Sequence, residues 1–239
     1  MKRVVFGIQM LLIIFSIFFL SPQAIAGVAI EQVVKDREDK ASVVFLYFSE
    51  SQFRTDHPEA GMSTIIDFKN DRMVMIDHRS KSYVETKFSQ WEKEIARKFR
   101  EEGGGIKPKS RKIVVRKTGE STVINGFRTH KVQLLADGEL IEENWVTRDI
   151  DMGEIGKVMD KIAQGFPKEL QSEMKEGQEI YQKMKPYGFP ILVKDYALTQ
   201  GLKAIDVLEV KKVEKKELGR EIYSPPSHYQ RIIPQPALK

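Results

Sequence analysis

Hydrophobic residues in this chain follow two rhythms, and the switches between them mark out its elements. "SVVFLYFSE", Ser42 to Glu50, is rich in β-branched and aromatic residues and predicts a strand. Residues 63–85, "STIIDFKNDRMVMIDHRSKSYVE", hold three apolar bursts separated by polar stretches rich in Asn, Asp, Ser and Lys. Bursts this short are strands, and the polar stretches are turns of a tight antiparallel meander. Along "MVMI", Met73 and Met75 point one way while Val74 and Ile76 point the other. A sheet with one wet face alternates apolar and polar residues. Both faces of these strands are therefore expected to be covered, or one of them lines a groove. "SQFRTDHPEAG" reads as a connection, marked by Pro58 and Gly61. "VAIEQVVKDRED", just before the first strand, fits a strand or a short amphipathic helix.

The period then changes. Phe88, Trp91, Ile95 and Phe99 recur at helical spacing, and the helix ends at "EEGGGIKP". "RKIVVRK" returns to strand, followed by strands joined at Asn125-Gly126 and Ala136-Asp137-Gly138, which supply the positive φ angles of hairpin turns. Met152, Ile155, Met159, Ile162 and Phe166 form a second helical stripe. Leu170, Met174, Tyr181 and Met184 form a third, after Pro167. "PILVKDYALTQGLKAIDVLEVKKVEKK" is a last hairpin turning at "TQG", and residues 230–239 read as a flexible Pro-containing tail. Strands and helices do not alternate regularly. The expectation is α+β: one antiparallel sheet with helices on a face of it.

The N-terminus changes the setting. Lys2 and Arg3 precede an apolar run from Val4 to Leu20, then Pro22 and Ala24-Ile25-Ala26. This is the layout of a cleavable secretory signal over residues 1–26, with cleavage after Ala26 and a periplasmic destination. No membrane span would remain after cleavage. Residues 27–229 would form a single domain. The signal takes two of the 39 basic residues and none of the 34 acidic ones, so the working charge is close to balance. That argues against a nucleic-acid partner. With no cysteine in the chain, thiol catalysis, Cys-ligated metals and disulfides are excluded.

Little else in the sequence carries chemistry. His57, His78, His130 and His228 are isolated, and none belongs to a metal-ligand pair. There is no nucleophile elbow, and "EEGGGIKPKS" lacks the spacing of a phosphate loop. A hydrolase would need His78 or His130 to meet a Ser or carboxylate in space. No cofactor, metal site or catalytic residue is expected. The basic pairs Arg111-Lys112, Arg116-Lys117, Lys211-Lys212 and Lys215-Lys216 fit solvated strand ends, or an anionic surface if they cluster.

The meander, the hairpin "INGFRTHKVQLLADGELIEENWVTRD" and the ending through "SPPSHY" resemble a family of bacterial exported proteins, domain of unknown function 4412. The resemblance rests on Asp67, Met73, Ile76, Asp77, Lys81, Tyr83, Trp145, Val146, Pro226 and Tyr229. That family is more distantly similar to the periplasmic lipoprotein carriers LolA and LolB. The likeness implies a curved antiparallel sheet, an unclosed half-barrel, wrapped around two or three amphipathic helices. It also implies a hydrophobic cavity between them. No arginine here matches the one those carriers keep in the cavity, so lipoprotein transport itself does not carry over. The expected role is non-catalytic binding of a lipid or lipidated peptide. The expected lining is Phe45, Tyr47, Met73, Met75, Trp91, Trp145, Met159 and Met174. The alternative is an interaction module that docks an envelope protein without a small ligand.

Overall fold

A computed structural model of the chain describes residues 25–36, 38–101, 111–164, 171–197 and 204–233. The first six strands are β1 (Ile25–Lys35), β2 (Ala41–Ser49), β3 (Gln52–His57), β4 (Met62–Asp67), β5 (Arg72–Asp77) and β6 (Ser82–Lys87). Helix α1 (Phe88–Glu101) leads to β7 (Ile113–Ile124), β8 (Phe127–Ala136) and β9 (Glu139–Thr147). Helices α2 (Gly153–Gln164) and α3 (Gln171–Met184) precede β10 (Phe189–Asp195), β11 (Ile205–Leu218) and the short β12 (Gln230–Ile232).

All twelve strands join one open sheet, in the order β12-β6-β5-β4-β3-β2-β1-β11-β10-β9-β8-β7. Every pairing is antiparallel except β12 with β6, which is parallel. This corrects the expected architecture: the described residues form not a half-barrel wrapped around helices but an open mixed sheet carrying three short ones. Local periodicity finds strands; it does not say how many will share one sheet. One open reading is settled as strand and another changes. "VAIEQVVK" lies within β1, and "QFRTDH", read as part of a connection, is β3. Arg54 and Asp56 put charge on one face of β3, which masks its alternation with Phe53 and Thr55.

The meander turns have a shared cause. Asp67 Oδ1 accepts the backbone N–H groups of Lys69 and Asn70, and Asp77 Oδ1 those of Arg79 and Ser80. Each turn then closes on a left-handed residue, Asp71 (φ 48°) and Lys81 (φ 51°). Polar residues at these positions are turn chemistry, which is why the apolar bursts stop where they do.

The registers divide the sheet into two faces. Val28, Phe48, Phe53, Ile66 and Met73 stand opposite one another across β1 to β5. Val28 and Phe48 join Ile155 and Val158 of α2 in one core, with Phe53 and Met159 packed against it. This is the helix-bearing face. A smaller cluster places Ile180 of α3 against Ile113, Leu134 and Ala136.

The outer face explains the doubly apolar strands. Ile65, Val74 and Ile76 point away from the helices and are fully buried, in a cluster with Leu218 and Tyr223. Residues 219–229 cross this face as a strap, and Ile222 and Tyr229 pack on the same cluster. Arg54 donates to the Ile222 carbonyl at 2.7 Å, and β12 then adds to β6. The first residues of the expected tail, Gln230–Ile232, are therefore strand. The Tyr223 hydroxyl is buried and, apart from a loose contact with the Ser49 side chain, makes no hydrogen bond among the described residues. Burial pushes its pKa up to about 12. Tyr223→Phe is accordingly expected to stabilise the protein, by about 1 kcal/mol, because it removes an unsatisfied buried group. A urea midpoint that falls would contradict this.

Candidate functional site

α1 packs on β5 and β6, and α2 on β1 and β2, so β3 and β4 lie between the two helices. One half-buried cross-strand ladder crosses this gap: Leu46, Thr55, Thr64, Met75 and Val84. All five are half-buried. At ordinary strand spacing the ladder is roughly 19 Å long. We infer that it floors a shallow trough between the two helices.

The two ends of the trough differ. On one side lies the buried ladder of Phe48, Phe53, Ile66 and Met73. Beyond β4, Phe68 meets Phe88 of α1 edge-on at 5.4 Å, and Lys161 of α2 lies 5.5 Å above the Phe68 ring. Both helices therefore meet at Phe68, which closes that end. On the other side the next ladder holds exposed His57 and Met62, the latter 40% exposed. The trough is thus apolar and closed at one end, and open and polar at the other.

The α1 wall is anchored by polar groups. Asp71 accepts the backbone N–H and hydroxyl of Ser89 at 2.8 and 2.7 Å, satisfying donors in the first turn of α1. These bonds hold the Asp71 carboxyl below the usual carboxylate range. Trp91 stacks on Phe88 with centroids 6.0 Å apart. Next to it, burial and then the Asp71 charge push Glu92 up to about 7. A carboxyl with a raised folded pKa contributes stability that is full below its unfolded pKa of about 4.5 and is lost as pH rises through about 7. Glu92→Gln is therefore expected to raise the melting temperature at pH 8 and to leave it unchanged at pH 4. Equal shifts at both pH values would contradict the account of this wall.

The eight residues expected to line one cavity are divided by the sheet. Met73 and Met75 lie on the helix-bearing face, Met73 in the buried ladder and Met75 in the trough floor. Met159 packs into the α2 core, and Trp91 lies on α1. Met174 is in α3, with its side chain outside the described residues. Phe45, Tyr47 and Trp145 point to the outer face and cannot share the trough. Phe45 and Tyr47 line a separate groove of about 140 Å³ with Glu31 and Lys212. Trp145 lies beneath the Lys131 ammonium at 5.5 Å. Strand parity was the weak link, since apolar residues on both faces give no sign of which is inward. The missed floor residues Thr55 and Thr64 carry no hydrophobic signal. Only their register with Leu46 and Met75 reveals them.

One condition for hydrolase chemistry is met in part. His78 Nε2 lies 2.7 Å from Ser63 Oγ, and His78 Nδ1 lies 3.0 Å from the Tyr229 hydroxyl. Ser63 is only 1% exposed, however, and also receives a long contact from Arg54 at 3.4 Å. No carboxylate stands behind His78 in this chain of contacts. The arrangement ties the strap to the sheet, and a buried hydroxyl offers a substrate no approach. His130 has a buried Nε2 without a hydrogen-bond partner among the described residues. Burial holds its pKa down. Among the described residues no group of carboxylates and histidines is arranged to hold a metal. Of the basic pairs, Arg111, Lys211, Lys212, Lys215 and Lys216 each face a carboxylate, as solvated strand charges do.

Solved structures show remote likeness. An uncharacterized conserved protein from Thermus thermophilus matches at 9% identity, over 86% of this chain and 89% of that one, with a TM-score of 0.46. PNGF-II matches in two crystal forms, at 10% and 12% identity and TM-scores of 0.36 and 0.37. Each match covers 87% of this chain and only 31% of PNGF-II. No curated protein matches the chain. A family model described as domain of unknown function (DUF4412) matches residues 33–229. That span holds β2 through the strap, with the Asp67 and Asp77 turns and the Tyr229 contact, and the chain belongs to the DUF4412 family.

Proposed function

We propose that the protein is a non-catalytic carrier of a single apolar chain, such as the acyl chain of a lipid, held in the trough between α1 and α2. One observation carries this reading: the half-buried ladder from Leu46 to Val84 between two helices, closed at Phe68 and open at Met62. Apolar transfer contributes roughly 0.8 kcal/mol per methylene, so a chain lying in the trough across part of this ladder supplies useful affinity without specific contacts. Met75 adapts to such a ligand because its side chain is unbranched and flexible. The polar head would sit at the open end.

The setting we propose is the periplasm, reached by a signal cleaved after Ala26. In support, β1 begins pairing with β2 at Gly27, so cleavage there would remove only the two β11 pairs of Ile25 and Ala26. No helix among the described residues is long and apolar enough to cross a membrane. The competing reading, docking of an envelope protein at a sheet edge, draws on Val114 and Val123 of β7, which are 41% and 64% exposed. Against it, Arg116, Lys117 and Glu120 place charges along the same edge, a usual protection against strand addition. Displacement of a fluorescent fatty acid from the purified protein tests the carrier reading. Saturable binding at one site is expected, and no binding would overturn it.

A further inference from the structure

The outer face carries a cleft besides the Phe45–Tyr47 groove, away from the trough. It is a cleft of about 340 Å³ where the strap leaves the end of β3, β4 and β5, on the opposite side of the sheet from the helices. The sheet side supplies Gln52, Asp67, Lys69 and Arg72, and the strap supplies Arg220 and Ser224; Ile25 also lines the cleft but brings no polar side chain, so cleavage after Ala26 leaves these groups in place.

The carboxylate in this cleft is already satisfied. Asp67 Oδ2 accepts from Gln52 and Asn70 side chains at 2.9 and 2.8 Å, and Oδ1 accepts two backbone N–H groups at 3.1 Å. Those donors hold its pKa down despite burial, so it is ionised yet has no lone pair directed at a newcomer. The two cations of the sheet side are less fully matched. Arg72 gives Nε to Glu85 at 3.0 Å and reaches the Tyr223 carbonyl only at 3.4 Å. Lys69 is exposed, and its ammonium has no partner among the described residues. Arg220 comes from the strap, so the positive charges converge from two separate segments of chain.

We infer that this cleft binds a phosphate group, carried by a soluble phosphorylated molecule or by a lipid headgroup, with Lys69, Arg72 and Arg220 as its cationic contacts and the Ser224 hydroxyl as a further donor. Guanidinium groups suit phosphate because their N–H pairs match its oxygens. Such a ligand would join the strap to the β4–β5 turn. The cleft is independent of the trough, because it lies on the opposite face of the sheet.

The test is titration calorimetry of the purified protein with inorganic phosphate, beside sedimentation with phosphatidylcholine vesicles with and without phosphatidic acid. The variants are Lys69→Ala and Arg220→Glu, with Lys112→Ala as a remote control. Saturable phosphate binding, weakened at least tenfold by Arg220→Glu and unchanged in the control, is expected for a soluble ligand. Binding confined to the phosphatidic acid vesicles, with the same sensitivity, assigns the site to a headgroup. Binding to neither probe, or equal binding by the control and both cleft variants, overturns the proposal. Unchanged melting temperatures in both variants separate loss of the site from loss of the fold.

Discussion

Ile76→Ala is expected to destabilise the protein by about 2–5 kcal/mol, the range for a fully buried aliphatic side chain cut back in a packed core. The number matters because Ile76 faces away from all three helices. On an ordinary sheet with one solvated face, such a position tolerates Ala to within about 0.5 kcal/mol. Here Ile76 is 0% exposed, between Ile65, Val74 and the strap residues that cover them. The loss therefore measures the strap as well as the strand. A second variant separates the two: once Tyr223→Ala has opened the strap side, adding Ile76→Ala should cost clearly less than it does alone. Urea denaturation of the four forms gives this cycle. A small effect for Ile76→Ala, or strict additivity, would mean that the outer face is not covered in solution.

Met75→Arg is expected to reduce acyl-chain binding at least a hundredfold while leaving the fold intact. Met75 is half-buried at the centre of the trough floor, between Thr64 and Val84. An arginine there can run its stem along the floor and place its guanidinium toward the open end by Met62, so folding survives. A ligand would then have to displace the stem or bury the charge, and either forfeits the transfer energy that drives binding. Met73 is the wrong position for this test. It is 3% exposed, and a charge there would threaten the core itself. Fluorescent fatty-acid displacement by Met75→Arg, with circular dichroism to check folding, reads the outcome. Wild-type affinity in a folded Met75→Arg protein would remove the trough as the site.

Much of the fold is legible in the sequence, and the failures have physical causes. The meander, the hairpins at Asn125-Gly126 and Asp137-Gly138, and all three helices follow from turn chemistry and periodicity, which are local. The overall architecture is not local. β1 sits between β2 and β11, a partner nearly two hundred residues away, and no pattern within either strand announces that pairing. β3 hides because Arg54 and Asp56 are strand residues with the composition of a turn. They face the strap, where Arg54 Nη1 donates to the Ile222 carbonyl.

The proposed trough was legible only in part. Met75, a methionine on a doubly apolar strand, lies in the trough floor, but Met73 is buried in the core, and the same criterion admitted Phe45, Tyr47 and Trp145 from the other face. The puzzle of the two apolar faces has two answers, one for each side. Val74 and Ile76 pack beneath the strap, while Met73 and Met75 face the helices. Composition alone cannot tell a strand covered by its own C-terminal segment from one lining a ligand cavity, because the two need the same residues.

The most direct test of the trough is native mass spectrometry of the protein purified without detergent, followed by organic extraction of whatever is bound. One lipid or fatty acid per chain, absent from the Met75→Arg protein, is the result this account predicts. A compact protein that carries no apolar molecule, and takes up none when offered, would contradict it.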